Sequence, residues 1–175
     1  MQFRLVATAT AIAAAIGLGF TVPAQSAGPI APSTIGVGPH GYDFLIGTWS
    51  CKNSMPSPMG GPATSTVAIG HGPNGTLTVH VNGGNFSGMG FVVYAPKTKT
   101  WWGPSVGADG SYGTESSQQT GKKTLWSGPY TDASGKTMQQ RDNYTWVSAT
   151  TYTDLYQLDM GGTWKTEGNS TCTKT

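Results

Sequence analysis

This sequence predicts an all-β chain, folded as a single antiparallel up-and-down barrel of about ten strands. Three observations point there. After residue 27 the chain holds 22 Thr and 24 Gly but only seven Ala and five Leu. That composition favours strands and turns over helices, and no window carries a 3.6-residue apolar stripe. Turn signals recur at steps of about 8 to 14 residues, with short alternating runs between them, as in consecutive hairpins. The two cysteines, Cys51 and Cys172, fall in the first and the last of those runs. A β-sandwich is the alternative architecture.

Residues 1–27 read as a secretory signal peptide. Arg4 is the only charge, an apolar Ala-rich run extends from Leu5 to Phe20, and the small residues of VPAQSAG place cleavage after Ala24 or Ala27. The apolar run is short for a membrane span and no second one follows. Export to the medium or periplasm, without membrane insertion, is therefore expected. Residues 28–40, GPIAPSTIGVGPH, hold three prolines and no periodicity, and read as an extended lead-in. Residues 41–175 form the barrel domain, with no more helix than a turn at Gly41–Leu45.

LIGTWSC opens the strand series. ATSTVAIG, TLTVHV, FSGMGFVVY, TWWGPS, SYGTESS, TLWSGPY, TMQQRDNYTW, TTYTDLYQLD and TWKTEGNSTCT follow. The runs are parted by GHGPNG, NGGN, APKTK, GADG, QTGKK, DASGK and MGG. WWGPS echoes WSGPY over too few residues to make a repeat. In a closed barrel the first and last strands are neighbours, and in an oxidising compartment two cysteines most simply pair. A Cys51–Cys172 bridge would clasp those strands, worth about 4.8 kcal/mol in the entropic account. Side chains two apart share a face, so Trp49 is expected to point with Cys51, and Trp164 with Cys172.

Removing Arg4 from the ten basic residues leaves nine against eight acidic ones, without charge runs. No nucleic acid or anionic membrane is indicated as partner. A transmembrane barrel is disfavoured too, because the outer faces carry Thr, Lys and Glu.

The opening DFLIGTWSC resembles the F-L-x-G-x-W start of small secreted bacterial β-barrels of unknown function. Those are similar in pattern to the calycin group of lipocalins, fatty-acid-binding proteins and nitrobindin. The ending GGTWKTEGNSTCTK, with its late Cys, resembles theirs as well. The resemblance implies a ten-stranded barrel with an interior cavity and Trp49 plugging one end. It does not imply haem: nitrobindin-type barrels use a histidine near the C-terminus, whereas the histidines here are His40, His71 and His80. No cofactor is expected.

His71 and His80 match no usual metal spacing, and the alternation of TLTVHV turns His80 away from the apolar side. No Ser lies in a G-x-S-x-G elbow. In MQQRDNYTW, Met138, Gln140, Asp142, Tyr144 and Trp146 share one face. In TTYTDLYQLD, Tyr152, Asp154, Tyr156 and Leu158 share one face. Turned inward, these faces give a lumen with aromatic walls and buried polar groups that need partners; turned outward, they leave Asp142 and Asp154 in water. In TWWG the adjacent Trp101 and Trp102 must point oppositely, which puts one outside as a surface interaction residue.

The leading expectation is a non-enzymatic barrel that binds a small, mostly apolar molecule. Trp49, Trp126, Tyr144, Tyr156 and Trp164 would line the lumen, with Gln140 and Asp142 orienting the ligand. One alternative is an extracellular module meeting carbohydrate or protein through Trp101 or Trp102. The other is a hydrolase using Asp142 and Asp154 as acid and base.

Overall fold

A computed structural model of the chain describes residues 35–54, 63–84, 86–120 and 122–175. The expected signal peptide and most of the lead-in lie outside the described residues. Ten strands form: β1 (Gly47–Asn53), β2 (Thr64–His71), β3 (Leu77–Gly83), β4 (Phe86–Ala95), β5 (Thr100–Gly107), β6 (Tyr112–Thr120), β7 (Lys123–Thr131), β8 (Thr137–Ser148), β9 (Thr151–Asp159) and β10 (Trp164–Lys174). Each pairs antiparallel with its sequence neighbours, and β1 pairs with β10 to close the barrel. The up-and-down barrel is the fold; the sandwich is not. Cys51 and Cys172 face each other in the β1–β10 ladder and form a disulfide across 121 residues.

The hairpin loops use the chemistry their residues suggest. In GADGS, Asp109 Oδ1 accepts from the Ser111 amide and hydroxyl. In DASGK, Asp132 Oδ1 accepts from the Ser134 amide and hydroxyl and from the Lys136 amide. A short side chain that bonds backbone two to four residues on is what makes Asp a turn residue. These bonds, chiefly to Ser111 and Ser134 respectively, hold both carboxyls below the usual range.

The WWGPS and WSGPY echo has a structural meaning. Trp101 and Trp126 point inward and are buried. Two residues on, Gly103 and Gly128 let neighbouring backbone come very close. A Cβ on Gly103 would overlap the Phe91 carbonyl oxygen, and one on Gly128 the Thr114 carbonyl oxygen. The ladder with the preceding strand is interrupted at both places. Gly128→Ala is therefore expected to cost about 1–3 kcal/mol through overpacking against backbone that cannot rotate away. Urea unfolding measures it, and an unchanged midpoint would contradict this close approach.

The end of the barrel where β1 begins is sealed by aromatics. Ile35 is only 1% exposed, and Gly36 N–H bonds back to the Gly41 carbonyl. Ile35 and Gly36, within the expected lead-in, thus belong to the core. The expected helical turn is a short 3₁₀ turn, Asp43–Leu45. It delivers Tyr42 among Trp101, Trp126 and Trp146, with ring centroids 5.2, 5.9 and 6.2 Å away. Burial pushes the Tyr42 phenol up to about 12. Its hydroxyl donates to Thr124 Oγ1, which also accepts from Trp146 Nε1 at 2.9 Å. Trp49 is fully buried, donates to the Leu45 carbonyl at 2.7 Å and packs on Tyr152.

One irregularity changes a face. In β10 the register shifts between Thr166 and Gly168, leaving Glu167 as an extra residue. Gly168 and Cys172 lie beside the inward Tyr156 and Tyr152, whereas Trp164 lies beside Asp159. Trp164 therefore does not share the face of Cys172 and does not line the lumen. It is 36% exposed, with the Arg141 guanidinium 4.1 Å over its ring. A bulge reverses the in–out alternation of every residue beyond it.

Candidate functional site

The inward face of β8 carries Gln140, Asp142, Tyr144 and Trp146. In register beside them on β9 stand Leu158, Tyr156, Asp154 and Tyr152. This is the face expected to carry a lumenal site. Trp126 on β7 lies beside Asp142, and Tyr156 donates to Gln140 Oε1 at 3.3 Å. Of the expected lining, Trp126, Gln140, Asp142, Tyr144 and Tyr156 come together here. Trp49 points inward too but belongs to the sealed end.

Glu115 on β6 joins this group, and sequence reading missed it. Its neighbours on the inward face are Gly113 and Ser117, so SYGTESS shows no apolar alternation to reveal its orientation. The usable signal was the hairpin itself: pairing through the GADG turn sets Glu115 beside Gly103 and two residues from Ser117, next to the inward Trp101 and Trp126.

Three carboxyls thus meet inside the barrel. Glu115 hydrogen-bonds Asp142, and Asp142 hydrogen-bonds Asp154. Two carboxylates repel, so such contacts require a proton held between them. Burial, the larger cause, and mutual repulsion hold Asp142 and Asp154 well above the usual carboxyl range. Burial likewise pushes Glu115 up to about 7. Burial, then the nearby carboxylates, raises the phenols of Tyr144, Tyr152 and Tyr156 too. Two carboxyl oxygens, Glu115 Oε1 and Asp154 Oδ1, are buried without a hydrogen-bond partner.

Asp142, Tyr144 and Asp154 lie deep among protein atoms and are nevertheless only half-buried. The inward Val67, Ile69, Val79, Val81 and Val92 across the barrel are likewise only half-buried. Glycines at 88, 90, 113 and 128 also occupy inward positions, each closely approached by neighbouring atoms. A completely packed core would bury the inward side chains fully.

Trp101 is fully buried, its Nε1 donating to the Gly36 carbonyl at 3.1 Å, so it is not a surface residue. Trp102 is the outward one, 44% exposed, in an apolar strip with Met89, Phe91, Val106 and Tyr112. A surface cleft of about 500 Å³ lies at the opposite end of the barrel from the aromatic seal, between Thr137–Gln139 and Asp159–Gly161. It contains no set of groups arranged for chemistry. Among the described residues no group of three His, Cys, Asp or Glu side chains is placed to hold a metal ion, and no helix is long and apolar enough to cross a membrane.

Set against known protein families and curated proteins, the chain matches no family model and no curated protein.

Proposed function

We propose that this is an exported barrel that binds a small molecule in its lumen, without catalysing a reaction on it. The observation that supports this most is the pairing of deep enclosure with incomplete contact at Asp142, Tyr144 and Asp154. A cavity that is largely apolar, with a few convergent polar groups, is the usual make-up of a small-molecule site. The disulfide and the signal-like leader support export, and the G-x-W opening supports a calycin-like relationship. Glycoside hydrolysis fits the geometry less well. Its two carboxyls stand about 5–9.5 Å apart with substrate between them, whereas these touch each other.

Native mass spectrometry of the protein taken from its own secreted fraction tests the reading. A native mass above the denatured mass is the expected result. Asp142→Ala and Tyr144→Ala should then weaken retention of that mass about tenfold or more, and Trp102→Ala should leave it unchanged. The reverse pattern would move function to the exposed strip around Trp102, the second reading, in which partner proteins or carbohydrate dock outside. That strip favours it because exposed apolar clusters of this kind mark contact surfaces.

A further inference from the structure

Resting on the lumenal-binding reading, we infer that the molecule bound is an organic cation, a protonated or quaternary amine. Its charge would lie against Glu115, Asp142 and Asp154, and its apolar body among the tyrosines and valines of the lumen. Three separate observations converge on that chemistry.

The first is a set of inward carboxyls with no basic partner. Glu115, Asp142 and Asp154 face the interior. These are three of the chain's eight acidic residues. Among the described residues no basic side chain joins them. Lys52, Lys97, Lys99, Lys122, Lys123, Lys136 and Lys165 are exposed, as are all three histidines. Arg141 bonds Gln157 on the outer face, and Lys174 donates to the Phe44 carbonyl at the sealed end. A buried carboxylate needs a counter-charge or a proton; no described basic side chain supplies the charge, so the empty cluster keeps protons instead.

The second is the pair of orphaned oxygens. Glu115 Oε1 and Asp154 Oδ1 are buried without a hydrogen-bond partner. Leaving a buried acceptor unmade is costly. A neutral apolar ligand leaves both unmade. An ammonium offers up to three N–H donors and a charge, and a quaternary ammonium offers charge and polarised C–H groups.

The third is the surrounding aromatic surface. Tyr144, Tyr152 and Tyr156 are close enough to the cluster for Asp142 to raise all three phenols. Tyrosine faces attract cations, so the same walls that would accept an apolar body favour a positive head. A metal ion is the poorer occupant, since the donors are not placed for one.

The groups facing the site are Glu115 and Tyr130 from β6 and β7, Asp142 and Tyr144 from β8, Tyr152, Asp154 and Tyr156 from β9, and Glu167 from β10. A bound cation displaces protons that the empty cluster shares. Its affinity should therefore rise as the pH rises through the titration of Glu115.

Calorimetric titration of the exported barrel with choline, and with its neutral carbon analogue 3,3-dimethylbutan-1-ol, tests this. The same pairing is repeated with phenethylamine and 2-phenylethanol. At pH 8 each cation should bind at least about tenfold more tightly than its neutral partner, and choline should lose about tenfold by pH 5.5. Glu115→Gln and Asp154→Asn should remove that preference while leaving the neutral analogues bound. Equal binding of the neutral analogues would overturn the cation and leave lumenal binding standing. Displacement of choline by millimolar calcium would overturn it in favour of a metal. Neither cation binding at millimolar concentration would overturn it outright, and the native mass measurement would then judge lumenal binding independently.

Discussion

The ligand-free barrel should lose stability as the pH rises from 5 to 8, and Glu115→Gln should abolish much of that loss. The reason is the sign of the lumenal shifts. The Glu115 carboxyl titrates near 4.5 when unfolded and near 7 when folded. Below the lower value both states are protonated, and folding loses nothing to this group. Between the two, the unfolded chain releases its proton while the barrel retains it, so stability falls with rising pH. Above 7 the cost is complete, on the order of 3 kcal/mol. Asp142 and Asp154 shift in the same direction and add to it. Asp109 and Asp132 in the hairpin turns act oppositely: their depressed values favour the fold above the unfolded value of 3.8, a benefit lost in stronger acid. Greatest stability thus lies at mildly acidic pH. Urea midpoints at pH 5 and 8 decide the matter. Wild type as stable at 8 as at 5 would mean that the carboxyls are solvated rather than enclosed.

Reduction, or the paired replacement Cys51→Ser and Cys172→Ser, should cost roughly 2–5 kcal/mol, or about 6–15 °C in Tm. Of the strand pairs in the barrel, β1–β10 is the one that no hairpin joins, so its closure brings together residues 121 apart in sequence. Both cysteines are buried against the aromatic end, with the Tyr152 hydroxyl 3.9 Å from Cys51 Sγ. Serine there would also bury a hydroxyl among rings. Equal melting curves with and without reductant would show that the seam holds without its covalent clasp.

Much of this architecture was legible because hairpins are local. Seven turn signals parted the runs close to where strands end, and the position of the two cysteines anticipated the seam. The shared face of Gln140, Asp142 and Tyr144 was legible as a set, but its direction was not: a strand polar on both sides gives alternation without an inside. Register against Trp126 and Tyr156 decides that direction, and register is a long-range property. Glu115 was hidden because small residues flank it on its own face. Trp164 was misplaced by one bulged residue, Glu167, which reverses parity and leaves no periodic trace. The burial of Ile35 and Tyr42 was likewise unreadable, since a plug is defined by the hole it fills.

The clasp at Cys51 and Cys172 makes the chain between them a covalent ring. A protease that cuts one exposed hairpin, such as that at Ser134 or Gly161, opens the ring but releases nothing. Both pieces stay tied through sulfur, and each strand next to the cut keeps its other partner. Under the proposed export, among extracellular enzymes, one nick is then a silent lesion, and the barrel outlasts the continuity of its backbone.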